Sequence, residues 1–229
     1  MSQDTTNTKK EMPKGMRYGE SAFDIAYLLF DLVAAIVFFV RADGRTVFIL
    51  YGFLTLCLGG GDAFHLIPRV QMHLSGPDEN TTKKLGFGTA VTSVTMTVFY
   101  ILLFDAMLQM PTAGAGAPAW AGTVRMVLVV LAVVRVALCL LPQNRWFDGV
   151  GDRRWGILRN VPFVAMGLVT VWYLVAWYDA WLLAALVVTS FACYMGVVLL
   201  AREKPMMGML MIPKTVCYIW MIALFLAAV

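Results

Sequence analysis

The sequence predicts an all-helical, polytopic membrane protein, a bundle of seven transmembrane helices. Apolar residues make up 60% of the 229 positions and charged residues only 14%, with a mean hydropathy of +0.75. This balance lies far outside that of a water-soluble domain. The apolar residues form continuous runs of about 20, the length that an α-helix needs to cross a bilayer. The runs do not alternate between apolar and polar residues as the strands of a membrane β-barrel do.

The seven runs follow a polar segment at the N-terminus. Residues 1–20 are polar and mixed in charge, and we expect them to form a cytoplasmic tail. The first run is long and has no small-residue cleavage site after it, so it predicts a retained helix and not a removable signal. The predicted seven-helix domain covers residues 21–229, with helices near 21–40, 46–67, 86–108, 122–142, 159–178, 181–201 and 206–229.

Prolines and loop lengths predict several helix ends. Pro68 predicts the end of the second helix, and Pro162 is expected in the first turn of the fifth, where a missing amide costs little. The segment Tyr178-Asp179-Ala180 leaves almost no loop between the fifth and sixth runs, so these two helices should be antiparallel neighbours. Pro213 lies inside the predicted seventh helix, directly before Lys214, and predicts a kink there.

The distribution of basic residues predicts the orientation. Of the 18 Lys and Arg residues, only Arg41, Arg45 and Arg125 lie in or beside the loops of one side, and Arg135 and Lys214 lie inside helices. The rest fall in the tail and in the loops on its side, which predicts a cytoplasmic N-terminus and an extracytoplasmic C-terminus. The same bias explains the net charge of +4 without a nucleic-acid partner. The lack of signal, sorting or lipidation motifs favours a bacterial inner membrane.

Four ionisable residues interrupt the apolar runs. Asp31, Asp62, Arg135 and Lys214 lie about 10 to 15 Å from the predicted inner ends of their helices, counted at about 1.5 Å per residue. Each costs on the order of 2.5 to 3.5 kcal/mol in hydrocarbon unless it has a partner or faces a water-filled cavity. Their formal charges cancel, and we expect them to converge on one interior chamber that opens to the cytoplasm.

Other polar residues share helix faces with these charges, because residues three or four apart lie on one face. We predict a ligand-binding or ion-pair site formed by Asp31, Asp62, His65, Arg69, Arg135, Tyr194, Lys214 and Tyr218. The glycines at positions 59 to 61 come directly before Asp62. They predict close packing of another helix against the second one, with local unwinding of that helix as the alternative.

The leading functional interpretation is binding or transport of a small anion or an anionic amphiphile. Arg135 and Lys214, with Arg69, would hold the negative charge, while Asp31 or Asp62 could carry a coupling proton. The partners of the protein would then be the lipid bilayer and an anionic small molecule or lipid. This interpretation needs no cofactor.

An intramembrane lipid-modifying enzyme is a second interpretation. Asp62, His65 and Ser190 loosely resemble the Asp/His/Ser set of alkaline ceramidase and adiponectin-receptor-like hydrolases, which share seven helices and a cytoplasmic N-terminus. The zinc of that family needs one histidine on helix 2 and two on helix 7. This chain has only His65 and His73, so a three-histidine zinc site is excluded and no metal site is predicted. A metal-free acid/base pair of Asp62 and His65 stays open.

Two further alternatives also depend on the buried charges. A single lysine in the last of seven helices, Lys214, is similar to the opsin plan, and the resemblance implies a Schiff base with retinal. The third helix, however, offers no acid at mid-depth. The last alternative is a structural membrane protein with a salt-bridged core, in which Asp31 pairs with Lys214 and Asp62 with Arg135.

Overall fold

A computed structural model describes residues 13–110, 117–148, 152–201 and 203–227, and this part of the chain is helical without strands. It contains the seven predicted spans, and each is long and apolar enough to cross a membrane. The seventh span consists of a short helix and the α-helix that follows it. The α-helices are α1 Lys14–Val40, α2 Thr46–Ser75, α3 Thr81–Leu108, α4 Ala121–Leu140, α5 Arg153–Tyr178, α6 Trp181–Leu200 and α7 Met211–Ala227. Two 3₁₀ helices, Pro142–Asn144 and Pro205–Leu210, precede α5 and α7. The predicted all-helical membrane fold is confirmed.

The helices form a closed ring. Each packs against the next in sequence, including α5 against α6 as predicted, and α7 returns to contact α1. At one end Arg17 of α1 donates to the carbonyl of His73 in α2 at 2.8 Å, and Arg153 of α5 pairs with Glu203 after α6 at 2.9 Å. We call this the basic end and the opposite one the far end. The cytoplasmic location of the basic end stays a prediction.

The first two helices extend beyond their predicted ends. Residues 1–12 lie outside the described residues, but α1 already begins at Lys14, within the expected tail. The prediction that Pro68 ends the second helix is wrong, because α2 continues to Ser75. A proline removes only one amide donor, and Gly88 of α3 packs against the Phe64 carbonyl that this leaves free.

The expected position of Pro162 is also wrong, because α5 begins earlier than predicted. The carboxylate of Asp152 accepts hydrogen bonds from the amides of Arg154 at 2.7 Å and Trp155 at 3.3 Å. This N-cap satisfies amides that have no partner within the helix, so α5 begins at Arg153 and Pro162 lies in its interior. The start of α5 is determined by this capping aspartate, which a hydropathy pattern does not reveal.

The predicted seventh helix is divided. Residues 205–210 wind as a 3₁₀ helix, and α7 begins only at Met211. Pro213 therefore lies in the first turn of α7, where its missing amide has no partner to lose. It does not kink the middle of a helix, as the sequence had suggested.

The glycines of α2 allow close helix packing. α2 is helical throughout, so the packing interpretation is confirmed and the unwinding one is wrong. A methyl group on Gly59 would lie 2.6 Å from the Cβ of Asp31, and Gly61 packs in the same way against Thr95. At this level α1, α2 and α3 are therefore in close contact.

The half of the bundle toward the far end is an aromatic core. Phe104 of α3 contacts the ring of Tyr173 with the centroids 4.7 Å apart, and Tyr51 stacks on Phe225 at 4.4 Å. All four side chains are buried. Aromatic rings therefore fill much of the interior in this half of the molecule.

Candidate functional site

A cavity of about 790 Å³, part of it open to the surroundings, lies in the half of the bundle toward the basic end. All seven helices contribute to its wall. The polar lining residues are Glu20, Asp24, Asp62, His65, Arg69, Thr89, Thr92, Ser93, Arg135, Tyr194, Lys214 and Thr215. Of the eight predicted site residues, six are brought together here: Asp62, His65, Arg69, Arg135, Tyr194 and Lys214.

An ion pair joins α1 to α2 at the mouth of the cavity. Glu20 pairs with Arg69, and their side chains are 10% and 20% exposed. Asp24, one turn further along α1, is buried, and its Oδ2 has no hydrogen-bond partner within the described residues. The sequence interpretation missed Glu20 because it assigned residues 1–20 to a tail. The four-residue spacing of Glu20 and Asp24 was the available signal.

Hydrogen bonds hold the wall formed by α1, α2 and α3. Asp62, 8% exposed, accepts a hydrogen bond from the hydroxyl of Tyr27 at 2.9 Å. The Nδ1 atom of His65 lies 3.3 Å from the carbonyl oxygen of Leu85 and 3.2 Å from the hydroxyl of Thr89. These contacts fix the orientation of both side chains. Asp62 is thus held in place as the acid that α2 contributes to the cavity wall, beside Glu20 and Asp24 of α1.

Two cations line the deep part of the cavity. Arg135 is 1% exposed, and its guanidinium carbon lies 3.2 Å from the ring centroid of Phe163. Its Nε and Nη1 have no hydrogen-bond partner within the described residues. Lys214 is 5% exposed, with its Nζ 5.2 Å from the ring of Tyr218 and 5.8 Å from that of Tyr194. The sequence could not identify Phe163, one apolar residue among many.

The two buried ion pairs of the structural alternative are absent. The described residues form five ion pairs, and none involves Asp31, Asp62, Arg135 or Lys214. The Asp31–Lys214 and Asp62–Arg135 pairings are therefore wrong. The reason is that Phe163 covers one face of Arg135, while Asp62 accepts from Tyr27.

Asp31 does not reach the chamber predicted for it. It is absent from the cavity wall and lies against Gly59 of α2. Gly59 precedes Asp62 by three residues on α2, so Asp31 lies about one helical turn further from the basic end than Asp62. The expectation that four charges share one chamber is correct for three of them and wrong for Asp31. Counting from predicted helix ends misjudged its depth, because both α1 and α2 extend beyond those ends.

Two further predicted residues lie outside the cavity wall. The buried hydroxyl of Ser190 donates to the carbonyl of Val187 at 2.8 Å, and the hydroxyl of Tyr218 lies 3.2 Å from that of Tyr100. The structure thus brings Asp62 and His65 to the cavity without Ser190. Lys214 does line it, and the retinal alternative stays a prediction.

The fold and cavity define a class: a seven-helix membrane protein with a polar interior near one end. No protein-family model matches the chain, and no curated protein or solved structure is significantly similar to it. Among the described residues no three His, Cys, Asp or Glu side chains are grouped so that they could hold a metal ion. The chemistry of the cavity is therefore the feature that points to a function.

Proposed function

We propose that the cavity binds the anionic head group of an amphiphile, with Arg135 and Lys214 contacting the negative charge. The observation that carries this proposal is the environment of Arg135. A guanidinium that is 1% exposed has two nitrogens without hydrogen-bond partners within the described residues, and it lines a partly open cavity.

The energetic cost of burying these cations favours an anionic ligand. A buried charge without a partner is expensive, and buried polar groups are normally hydrogen-bonded. Arg135 and Lys214 line the same cavity, and neither forms an ion pair within the described part of the chain. The planar guanidinium donates parallel hydrogen bonds to carboxylate, sulfonate or phosphate oxygens. An anion between the two side chains would supply the missing acceptors.

The lining of the cavity favours an amphiphile over a small inorganic anion. The cavity is open to the surroundings in part, and side chains from all seven helices form its wall. Phe23, Leu66, Met96, Met211 and Ile212 contribute apolar surface beside the cations. An alkyl chain would cover this surface and gain about 0.8 kcal/mol for each buried CH₂ group.

The proposal can be tested by ligand-dependent stabilisation of the purified protein in a neutral detergent. We expect octyl, decyl and dodecyl sulfonate to raise the melting temperature in that order, because longer chains bury more apolar surface. Dodecanol and inorganic sulfate, which carry only the chain or only the charge, should have far smaller effects. Arg135→Met and Lys214→Met should each abolish most of the stabilisation by the sulfonates.

Arg125→Gln is the matched control, because Arg125 is another arginine of α4 but bonds to Asp105 at 2.6 Å, away from the cavity. It should leave the sulfonate effect unchanged. Equal stabilisation by sulfate and dodecyl sulfonate would show that the ligand is a small anion and not an amphiphile. No stabilisation by any anion, or an effect that survives both cation substitutions, would overturn the proposal.

A further inference from the structure

Asp31 is the most completely buried acid in the described part of the chain. It is 1% exposed, and neither of its carboxyl oxygens has a hydrogen-bond partner there. A methyl group on Gly59 would lie 2.6 Å from the Cβ and 2.9 Å from the Oδ2 of Asp31. Close packing of α1 on α2 therefore leaves little room for water beside this carboxyl group.

The groups that face Asp31 are not cations. Tyr27, one turn earlier on α1, and Asp62 of α2 are its titratable neighbours. The hydroxyl of Tyr27 is already donated to Asp62. Lys214 of α7 lines the cavity together with Asp62 and forms no ion pair with Asp31 within the described residues. An ionised carboxylate at Asp31 would thus be buried beside a second acid with no compensating charge, which is strongly unfavourable.

We propose that Asp31 is held protonated, so that the deep cavity carries one excess positive charge and selects a monoanionic head group. With Asp31 neutral, the charged groups at this depth are Asp62, Arg135 and Lys214, one negative and two positive. Nearer the mouth, Glu20 pairs with Arg69 and Asp24 adds an acid without an ion-pair partner within the described residues, so the excess positive charge is confined to the deep part of the cavity. The selection for charge depends on the proposed function, whereas the protonation of Asp31 does not.

The protonation can be measured without any ligand by infrared spectroscopy of protein labelled with ¹³C at the aspartate carboxyl group. At neutral pH the wild-type protein should show the carbonyl band of a protonated aspartic acid. Asp31→Asn should lose this band, while Asp78→Asn, a substitution at an exposed acid, should keep it. If Asp31→Asn does not fold, Asp31→Leu serves in its place. A wild-type spectrum without the band, or a band whose intensity is unchanged by both substitutions of Asp31, would overturn the proposal.

The charge selection can be measured with two ligands of equal chain length, dodecyl sulfonate and the dianionic form of dodecyl phosphate. Wild-type protein should bind the monoanion about tenfold more tightly, because a second negative charge is not balanced and is repelled by Asp62. Asp62→Asn raises the excess to two positive charges and should reverse the preference. Asp31→Asn should leave it unchanged, since it replaces a neutral group by another neutral group.

These outcomes separate the two proposals. If no alkyl anion binds but the Asp31 band is present, the proposed function fails and the protonation stands. If the dianion binds more tightly to wild-type protein, or if Asp31→Asn changes the preference, the inferred charge of the deep cavity is wrong even though the cavity binds amphiphiles.

Discussion

The two halves of the bundle bury their interiors by different means. Toward the far end, aromatic rings such as Phe104 and Tyr173 pack with centroids 4.7 Å apart. Toward the basic end, the same helices enclose a cavity of about 790 Å³ lined by acids, bases and hydroxyls. Packing stabilises the first half, whereas the second keeps charged groups without ion-pair partners. A membrane protein that needed only stability would have no reason to maintain the second arrangement.

The largest expected effect tests the packed half. Phe104→Ala should lower the free energy of unfolding by about 3 to 5 kcal/mol, because it removes a fully buried ring and leaves a void. Unfolding in mixed detergent micelles measures this change. Val133→Ala, at an exposed position on the lipid-facing surface of α4, should change it by less than about 0.5 kcal/mol. Similar losses for the two variants would contradict the description of this half as a packed core.

A smaller effect is expected where the cavity wall meets α1. Tyr27→Phe removes the hydroxyl that donates to Asp62 at 2.9 Å and leaves a buried carboxylate with one donor fewer. The expected loss of stability is about 1 to 3 kcal/mol, measured by the same unfolding assay. Tyr18→Phe, at a position that is mostly exposed, is the control and should be neutral. A neutral Tyr27→Phe would mean that the hydrogen bond does not support the cavity wall.

The ion pair at the cavity mouth should contribute still less. Glu20→Gln breaks the pair with Arg69, and because both side chains are in part accessible, we expect a stability loss of about 0.2 to 1 kcal/mol that shrinks as salt is added. The substitution also frees Arg69 at the mouth, so alkyl sulfonates should associate faster, which stopped-flow fluorescence can follow. Slower association would show that Glu20 does not oppose the entry of anions.

The smallest effect lies outside the spans, in the turn between α2 and α3. Hydrogen bonds from Lys84 and Thr81 lower the pKa of Asp78 from 3.8 to about 2. A lowered pKa in the folded state means that this stabilisation is complete above pH 3.8 and is lost as the pH falls through about 2. Melting temperatures across this window should therefore fall slightly more for the wild-type protein than for Asp78→Asn. If the melting temperatures of the two proteins fall equally across this pH window, the hydrogen bonds of Asp78 do not stabilise the folded state.

Much of the fold could be predicted because the bilayer imposes it. Length and apolar composition identified the seven spans, and counting along the helices placed Asp62, Arg135 and Lys214 at a similar depth. Helix ends were less predictable, since an N-cap such as Asp152 and a tolerated proline such as Pro68 act through local hydrogen bonds that hydropathy does not record.

The candidate site was predicted only in part for a related reason. Charged residues in apolar runs are conspicuous, so six of the eight predicted residues do line the cavity. Asp31 was misplaced because the contact with Gly59 that buries it depends on the packing of two helices. Phe163 was missed because an aromatic ring beneath an arginine looks in sequence like any other apolar residue.

The 3₁₀ helix Pro205–Leu210 acts as a spacer of defined length before α7. A 3₁₀ helix rises about 2.0 Å per residue and an α-helix about 1.5 Å, so its six residues span about 12 Å and not about 9 Å. Leu210 at its end fits beside Gly196, where a methyl group would lie 2.8 Å from the Cδ1 of Leu210. The winding of this short segment therefore sets the height of Lys214 within the bundle. A change of winding would shift that height by about 3 Å, roughly the length of one hydrogen bond.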